Sequence, residues 1–264
     1  MCNVKPIMTI LLLSFLLLAC AETGNGGGNS TSAGNGGGTD SSGAGQAGSM
    51  ARFSVVNNML YALSGSNLQL IDVSIPEAPT LWNRVPVQFD IETLFAYGPY
   101  LFIGSRSGVY IYDNTDPLFP TFLSQFTHAR SCDPVVVQGH YAYVTLRGNS
   151  SCRGGQNQLD ILDITNVAKP VLTRTYPMQE PFGLGISDDT LFICDGRAGL
   201  KVFDVKDKSA IAIKETYSDV NCYDLIPNNG VLVVSADVGL LQFDYRGTEL
   251  VPLSEIKITT NNKI

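Results

Sequence analysis

What most constrains this chain is one phrase that occurs five times, an alternating apolar strand that ends in an aspartate and stops at a turn. The copies are Leu68–Asp72, Val109–Asp113, Leu159–Asp163, Leu200–Asp204 and Leu240–Asp244. Their aspartates follow one another at intervals of 41, 50, 41 and 40 residues. Such a period marks a repeat architecture, in which one unit cannot bury its apolar face alone. Ahead of each copy runs a second apolar stretch: Met59–Leu63, Tyr100–Ile103, Tyr141–Val144, Thr190–Ile193 and Val231–Val234. These follow the pairs Asn57-Asn58, Gly98-Pro99, Gly139-His140, Asp188-Asp189 and Asn229-Gly230, which is hairpin chemistry. A further strand precedes each pair and a fourth follows each Asp, entered through Pro79, Pro120 and Pro170 in the first three repeats. Proline suits an outermost strand, which can spare a ladder donor.

Four antiparallel strands per unit of this length predict an all-β chain, a β-propeller of five four-stranded blades. The blades are placed at about 51–89, 90–130, 131–178, 179–219 and 220–258, within a domain spanning 51–264. No stretch has a 3.6-residue apolar period that would compete with this reading. The phrase Leu68-Gln69-Leu70-Ile71-Asp72-Val73-Ser74, with Pro79 after it, resembles the LVIVD repeat of bacterial surface β-propellers. The resemblance covers residues 51–258 and is strongest in the first three repeats. It implies a propeller displayed at a cell surface.

The N-terminus carries an address. Lys5 precedes an apolar run over residues 7–19, too short for a permanent membrane span and expected to be a signal peptide, residues 1–19. Its end, Leu17-Leu18-Ala19-Cys20, resembles the lipobox of bacterial lipoproteins. That resemblance implies that Cys20 becomes the acylated first residue, and Ala21 in place of Asp implies the outer membrane. Several acyl chains on one residue make such anchoring stable. Residues 20–50, almost all Gly, Ser, Thr, Asn and Ala after the cysteine, are expected to form a disordered linker. The net charge of −7, without any basic run, excludes nucleic acid and anionic lipid surfaces as partners.

Five aligned aspartates invite a metal reading, but one per blade places them too far apart to converge on an ion. Each is expected instead to accept N–H bonds in the turn that follows it. No metal or cofactor is expected. With Cys2 lost and Cys20 acylated, Cys132, Cys152, Cys194 and Cys222 remain, an even set that in an exported chain points to disulfides. Cys132 and Cys222 stand at the same point of their repeats, and Cys152 falls in the insertion that lengthens the third repeat. The expected pairs are Cys132–Cys152 and, by elimination, Cys194–Cys222.

Chemistry is sparser. Glu92 and Asp133 align on the innermost strands and Asp224 lies close to that position, so paired carboxylates for glycan hydrolysis are conceivable. The other blades carry Ala51, Phe182 and Tyr223 there, which favours scattered charge on a solvated rim. No Gly-Xaa-Ser-Xaa-Gly elbow, Walker loop or dinucleotide fingerprint occurs. The best candidate contact surface is Arg52, Arg147, Phe182 and Tyr223 at the channel mouth, because loops on a rigid scaffold carry function. The expected role is binding of a protein or glycan partner, with a glycan-active hydrolase and a structural envelope component as alternatives.

Overall fold

The five turns between first and second strands each begin with a residue in the left-handed region: Asn57, Gly98, Gly139, Asp188 and Asn229, with φ between 49° and 58°. Asn, Asp and Gly are the residues that tolerate it. The computed structural model describes residues 48–128, 134–148 and 156–258. They form five four-stranded antiparallel sheets, each with its strands in chain order, arranged as a five-bladed β-propeller. Blade one comprises β1 (Phe53–Val56), β2 (Met59–Ser64), β3 (Asn67–Asp72) and β4 (Thr80–Pro86). Blade two comprises β5 (Ile91–Tyr97), β6 (Tyr100–Ser105), β7 (Gly108–Asp113) and β8 (Thr121–Thr127). Blade three comprises β9 (Val135–Gln138), β10 (Tyr141–Leu146), β11 (Gln158–Asp163) and β12 (Val171–Pro177). Blade four comprises β13 (Leu184–Ser187), β14 (Thr190–Cys194), β15 (Leu200–Asp204) and β16 (Ala212–Tyr217). Blade five comprises β17 (Cys222–Asn228), β18 (Val231–Ala236), β19 (Gly239–Asp244) and β20 (Val251–Lys257).

The repeat aspartates act within their turns. Ser74, Thr115, Thr165, Lys206 and Arg246 donate their amides to Asp72, Asp113, Asp163, Asp204 and Asp244 at 2.7–2.9 Å. Bonds to the ionised form favour it. The hydroxyl and amide of Thr115 hold the Asp113 carboxyl below its ordinary value, and the Arg246 side chain pushes Asp244 down to about 2. Each blade also carries a bulge between third and fourth strands, as at Leu70/Ile71 and Ile111/Tyr112. The bulges bend and twist the outer strand.

Packing between blades uses one face of each sheet against the opposite face of the next. At the centre of four such contacts sits an aromatic from the second strand: Tyr61 between blades one and two, Phe102 between two and three, Tyr143 between three and four, and Phe192 between four and five. All four are fully buried. The aligned residue of blade five is Val233, which is only partly buried. Two further blade-five positions, Leu240 and Ile256, are 38% and 63% exposed. Their counterparts in the other blades, such as Leu68 and Val85, pack against the next sheet. On blade one Phe53 is 58% exposed, whereas its equivalents Leu94, Val135, Leu184 and Leu225 are at most 1% exposed. The seam between blades five and one is therefore open. Both of its faces expose large apolar side chains, Leu240 and Ile256 on blade five and Phe53 and Val55 on blade one.

The expected signal peptide, the acylated Cys20 and the pair Cys132–Cys152 lie outside the described residues. The expected linker ran to residue 50, whereas Gly48 and Ser49 are buried parts of the folded domain. Composition misplaced that end because these small residues fit a tight cradle rather than a coil.

Two outcomes follow for stability, each measured by chemical denaturation. Leu94→Ala is expected to cost about 2–5 kcal/mol and Phe53→Ala less than about 1 kcal/mol, since only the first opens a cavity in a filled interface. Tyr143→Phe is expected to stabilise by about 1 kcal/mol, because the buried Tyr143 hydroxyl finds no partner among the described residues and Phe already fills this position in two other blades.

Candidate functional site

The channel mouth gathers the starts of the inner strands. Arg52 immediately precedes β1. Glu92 is skipped by the pairing of Ile91 and Thr93 with β6, and Tyr223 is skipped in the same way between Cys222 and Asp224. A bulged residue is re-aimed out of its sheet, so both side chains reach the mouth. Phe182 is clamped through its backbone: its N–H donates to the Cys194 carbonyl at 2.7 Å, and its own carbonyl accepts from the Thr145 hydroxyl at 2.7 Å. The next amide, Gly183 N–H, donates to the Tyr223 carbonyl at 2.9 Å. Three blades thus fix one loop.

A cavity of about 260 Å³ opens here, lined by Arg52, Glu92, Arg147 and Phe182 with apolar walls from Met50 and Pro134. A second hollow of about 420 Å³ shares Arg52 and Glu92 with it and extends past Arg106 to Phe89. Inside the cavity the Arg147 guanidinium lies over the Phe182 ring, its carbon 4.0 Å from the centroid. Tyr223 meets the same ring edge-on at 5.4 Å between centroids. Burial lowers the Arg147 guanidinium from its ordinary value, opposed by the fields of Glu180 and Glu92. Among the described residues no carboxylate lies within 4.0 Å of Arg52 or Arg147. Glu92 is committed elsewhere, accepting from Arg106 Nε at 2.9 Å.

The expected carboxylate cluster does not form among the described residues. Asp133 lies outside them. Asp224 is mostly buried behind Ser49, whose hydroxyl donates to it at 3.4 Å while accepting the Leu184 N–H at 2.7 Å. A Cβ at Gly48 or Gly183 would come within 2.3 Å of an Asp224 oxygen, so glycine is needed on both sides. The carboxyl is pushed up to about 6 by burial, against the bonds it accepts from Leu225, Ser49 and Met50. The sequence placed Asp224 next to the aligned inner-strand position, and the structure puts it one residue past the bulge at Tyr223. The fold of residues 48–50 over it could not be read from the repeat.

Two supports of the site differ in how legible they were. Cys194 and Cys222 are joined, with Cα atoms 5.2 Å apart and 28 residues between them in sequence, as expected by elimination. Closing such a loop stabilises by about 3–4 kcal/mol on the chain-entropy model, and the bond ties blades four and five beneath Phe182 and Tyr223. Asp195 went unnoticed. Fully buried, it accepts the amides of Gln179 and Glu180 and the Lys201 ammonium at 2.5–3.2 Å, holding the segment that leads to Phe182. Its only signal was a charged residue directly after a strand cysteine.

The fold and the mouth define a β-propeller with a pocketed channel entrance. Within it, residues 129–177 and 183–219 match the LVIVD repeat. These are blades three and four, whereas the repeat phrase was expected to be strongest in the first three. No curated protein matches the chain at a significant level. Among solved structures it is similar to a putative 6-phosphogluconolactonase from Bacteroides fragilis, at 11% identity and a TM-score of 0.59, covering 78% of this chain and 69% of that one. It is also similar to a periplasmic gluconolactonase from Pseudomonas aeruginosa, at 13% identity and a TM-score of 0.56, covering 76% and 68%. The computationally designed Ika8 protein gives 13% identity and 0.56, and this chain spans 59% of its length. Identities this low establish the fold alone.

Asp224 makes stability depend on pH in a stated direction. Its folded pKa lies above the ordinary 3.8, so its contribution is complete below about pH 4 and is lost as pH rises through about 6. Denaturation between pH 4 and 7 is expected to show a fall of up to about 3 kcal/mol from this group, and Asp224→Asn is expected to flatten it.

Proposed function

We propose that this protein is a cell-envelope binding module, held to the bacterial outer membrane through acylated Cys20, that captures a glycan or protein partner at the channel mouth. The observation that carries the reading is the Arg147 guanidinium laid on Phe182 inside a cavity, a charged group prepared in advance with no carboxylate beside it among the described residues. Holding an empty-handed cation in a half-buried place costs solvation, and a bound partner returns what was lost. The Cys194–Cys222 disulfide supports the address, since such bonds persist in extracellular or periplasmic space. Among the described residues no helix is long and apolar enough to cross a membrane, and the lipobox resemblance at Cys20 supplies the anchor in this reading.

The hydrolase alternative loses its support in the described residues. Glu92 is bound to Arg106 and Asp224 is shut behind Ser49, so Glu92 and Asp224 do not form a pair facing the cavity. The lactonase names of two similar structures come with 11% and 13% identity and carry no activity across.

Fluorescently labelled protein applied to arrays of envelope glycans and envelope proteins tests the binding role. Retention on a defined set of spots is expected, with Phe182→Ala lowering it by about tenfold or more through loss of the Arg147 platform. Retention unchanged in that variant would place binding elsewhere on the propeller. For the anchor, Cys20→Ala is expected to abolish incorporation of an alkyne-tagged palmitate in a bacterial host.

A further inference from the structure

The mouth cavity says more about its ligand than that one binds. The Arg147 guanidinium carbon sits 4.0 Å over the Phe182 ring in the wall of the cavity, and a cation held on an aromatic face keeps its N–H donors for other partners. The planar fork of a guanidinium matches two oxygens of a carboxylate in one plane, as a lysine cannot. Arg52 lines the same cavity, and neither arginine has a carboxylate within 4.0 Å among the described residues. Among the described lining residues Glu92 is the acidic one, and its charge is answered by Arg106 through one oxygen. A carboxylate has capacity for several donors, so Glu92 still suits hydroxyls. Of the remaining described lining, Met50, Pro134 and Pro181 are apolar and Thr93 adds one polar side chain. One end of the ligand should thus be anionic, its flank should carry hydroxyls, and its faces should be hydrocarbon.

Size narrows the choice. The cavity of about 260 Å³ lies below the roughly 300–1,000 Å³ typical of pockets for drug-sized ligands, which leaves room for one ring. The neighbouring hollow of about 420 Å³ shares Arg52 and Glu92 with it and gives a second ring somewhere to go. We propose that the channel mouth binds a sugar acid of the uronate class, its carboxylate on Arg147 and Arg52 and its hydroxyls on Glu92. This rests on the mouth being the binding site. The same chemistry is offered by a free uronate and by the end of an acidic glycan, with the second hollow taking the next residue in the latter case.

Calorimetric titration of the purified full-length protein tests this with D-galacturonate, a trigalacturonate, D-galactose and inorganic phosphate. D-Galacturonate is expected to bind at least about tenfold more tightly than D-galactose. Arg147→Gln is expected to weaken galacturonate binding at least about tenfold, and Arg147→Lys to weaken it as well, since the fork and its stacking are lost. Arg84→Gln, on outer strand β4, should leave binding unchanged. Tighter binding of the trimer than of the monomer assigns a glycan end, and equal binding assigns the free sugar acid. Equal affinity for galactose, displacement by phosphate at equal concentration, or an unaffected Arg147→Gln variant would overturn the proposal. Absence of any sugar binding, with array retention still dependent on Phe182, would overturn it while the binding-module reading stands.

Discussion

One aromatic side chain per interface, inserted from the second strand of one blade into the sheet of the next, is the contact on which this propeller depends. A four-stranded sheet has two apolar faces and can satisfy neither by itself. Tyr61, Phe102, Tyr143 and Phe192 each sit at the middle of a buried cluster that includes both neighbouring blades. Where the series ends, the packing ends. Blade five offers Val233, Leu240 and the polar Gln242 on the corresponding face, and blade one answers with exposed Phe53 and Val55. The molecule is therefore a continuous stack of five blades with two unmatched terminal faces.

That asymmetry explains how the mouth is braced. Because among the described residues blade five packs broadly on blade four alone, its position depends on that blade and on the chain that precedes β1. The Cys194–Cys222 bond, the isolated pairing of Gly196 with Cys222, and Ser49 between Leu184 and Asp224 all act at this end. Each is local to Phe182 and Tyr223. Through them the last two blades hold a rigid aromatic surface, and Phe182 in turn fixes the guanidinium of Arg147, which belongs to blade three. In the proposed binding role, a ligand at the mouth would meet side chains already held by these contacts, so little ordering would oppose its binding.

Much of this was legible because a repeat converts spacing into geometry. Residues at one register position of different blades arrive on one face of the ring. Arg52, Glu92, Arg147 and Phe182 could thus be assembled on paper. What register could not supply was partner choice. Glu92 turns to Arg106 because a bulge lifts it out of β5, and a bulge has no spacing signature. Asp224, one residue beyond a second bulge, is turned to Ser49 and away from the cavity.

By itself the sequence determined the blade count, the hairpin turns, the role of each repeat aspartate and the pairing of Cys194 with Cys222. These depend on local backbone preference, on a period of two along strands, and on counting, all of which are properties of the chain before it folds. Tertiary structure decided which interface stays unfilled, that Gly48 and Ser49 join the domain, and that Glu92 pairs with Arg106 while Asp224 turns to Ser49. Those outcomes are set by packing and burial among residues far apart in sequence, where sub-ångström fit at a glycine or a bulge selects one partner over another.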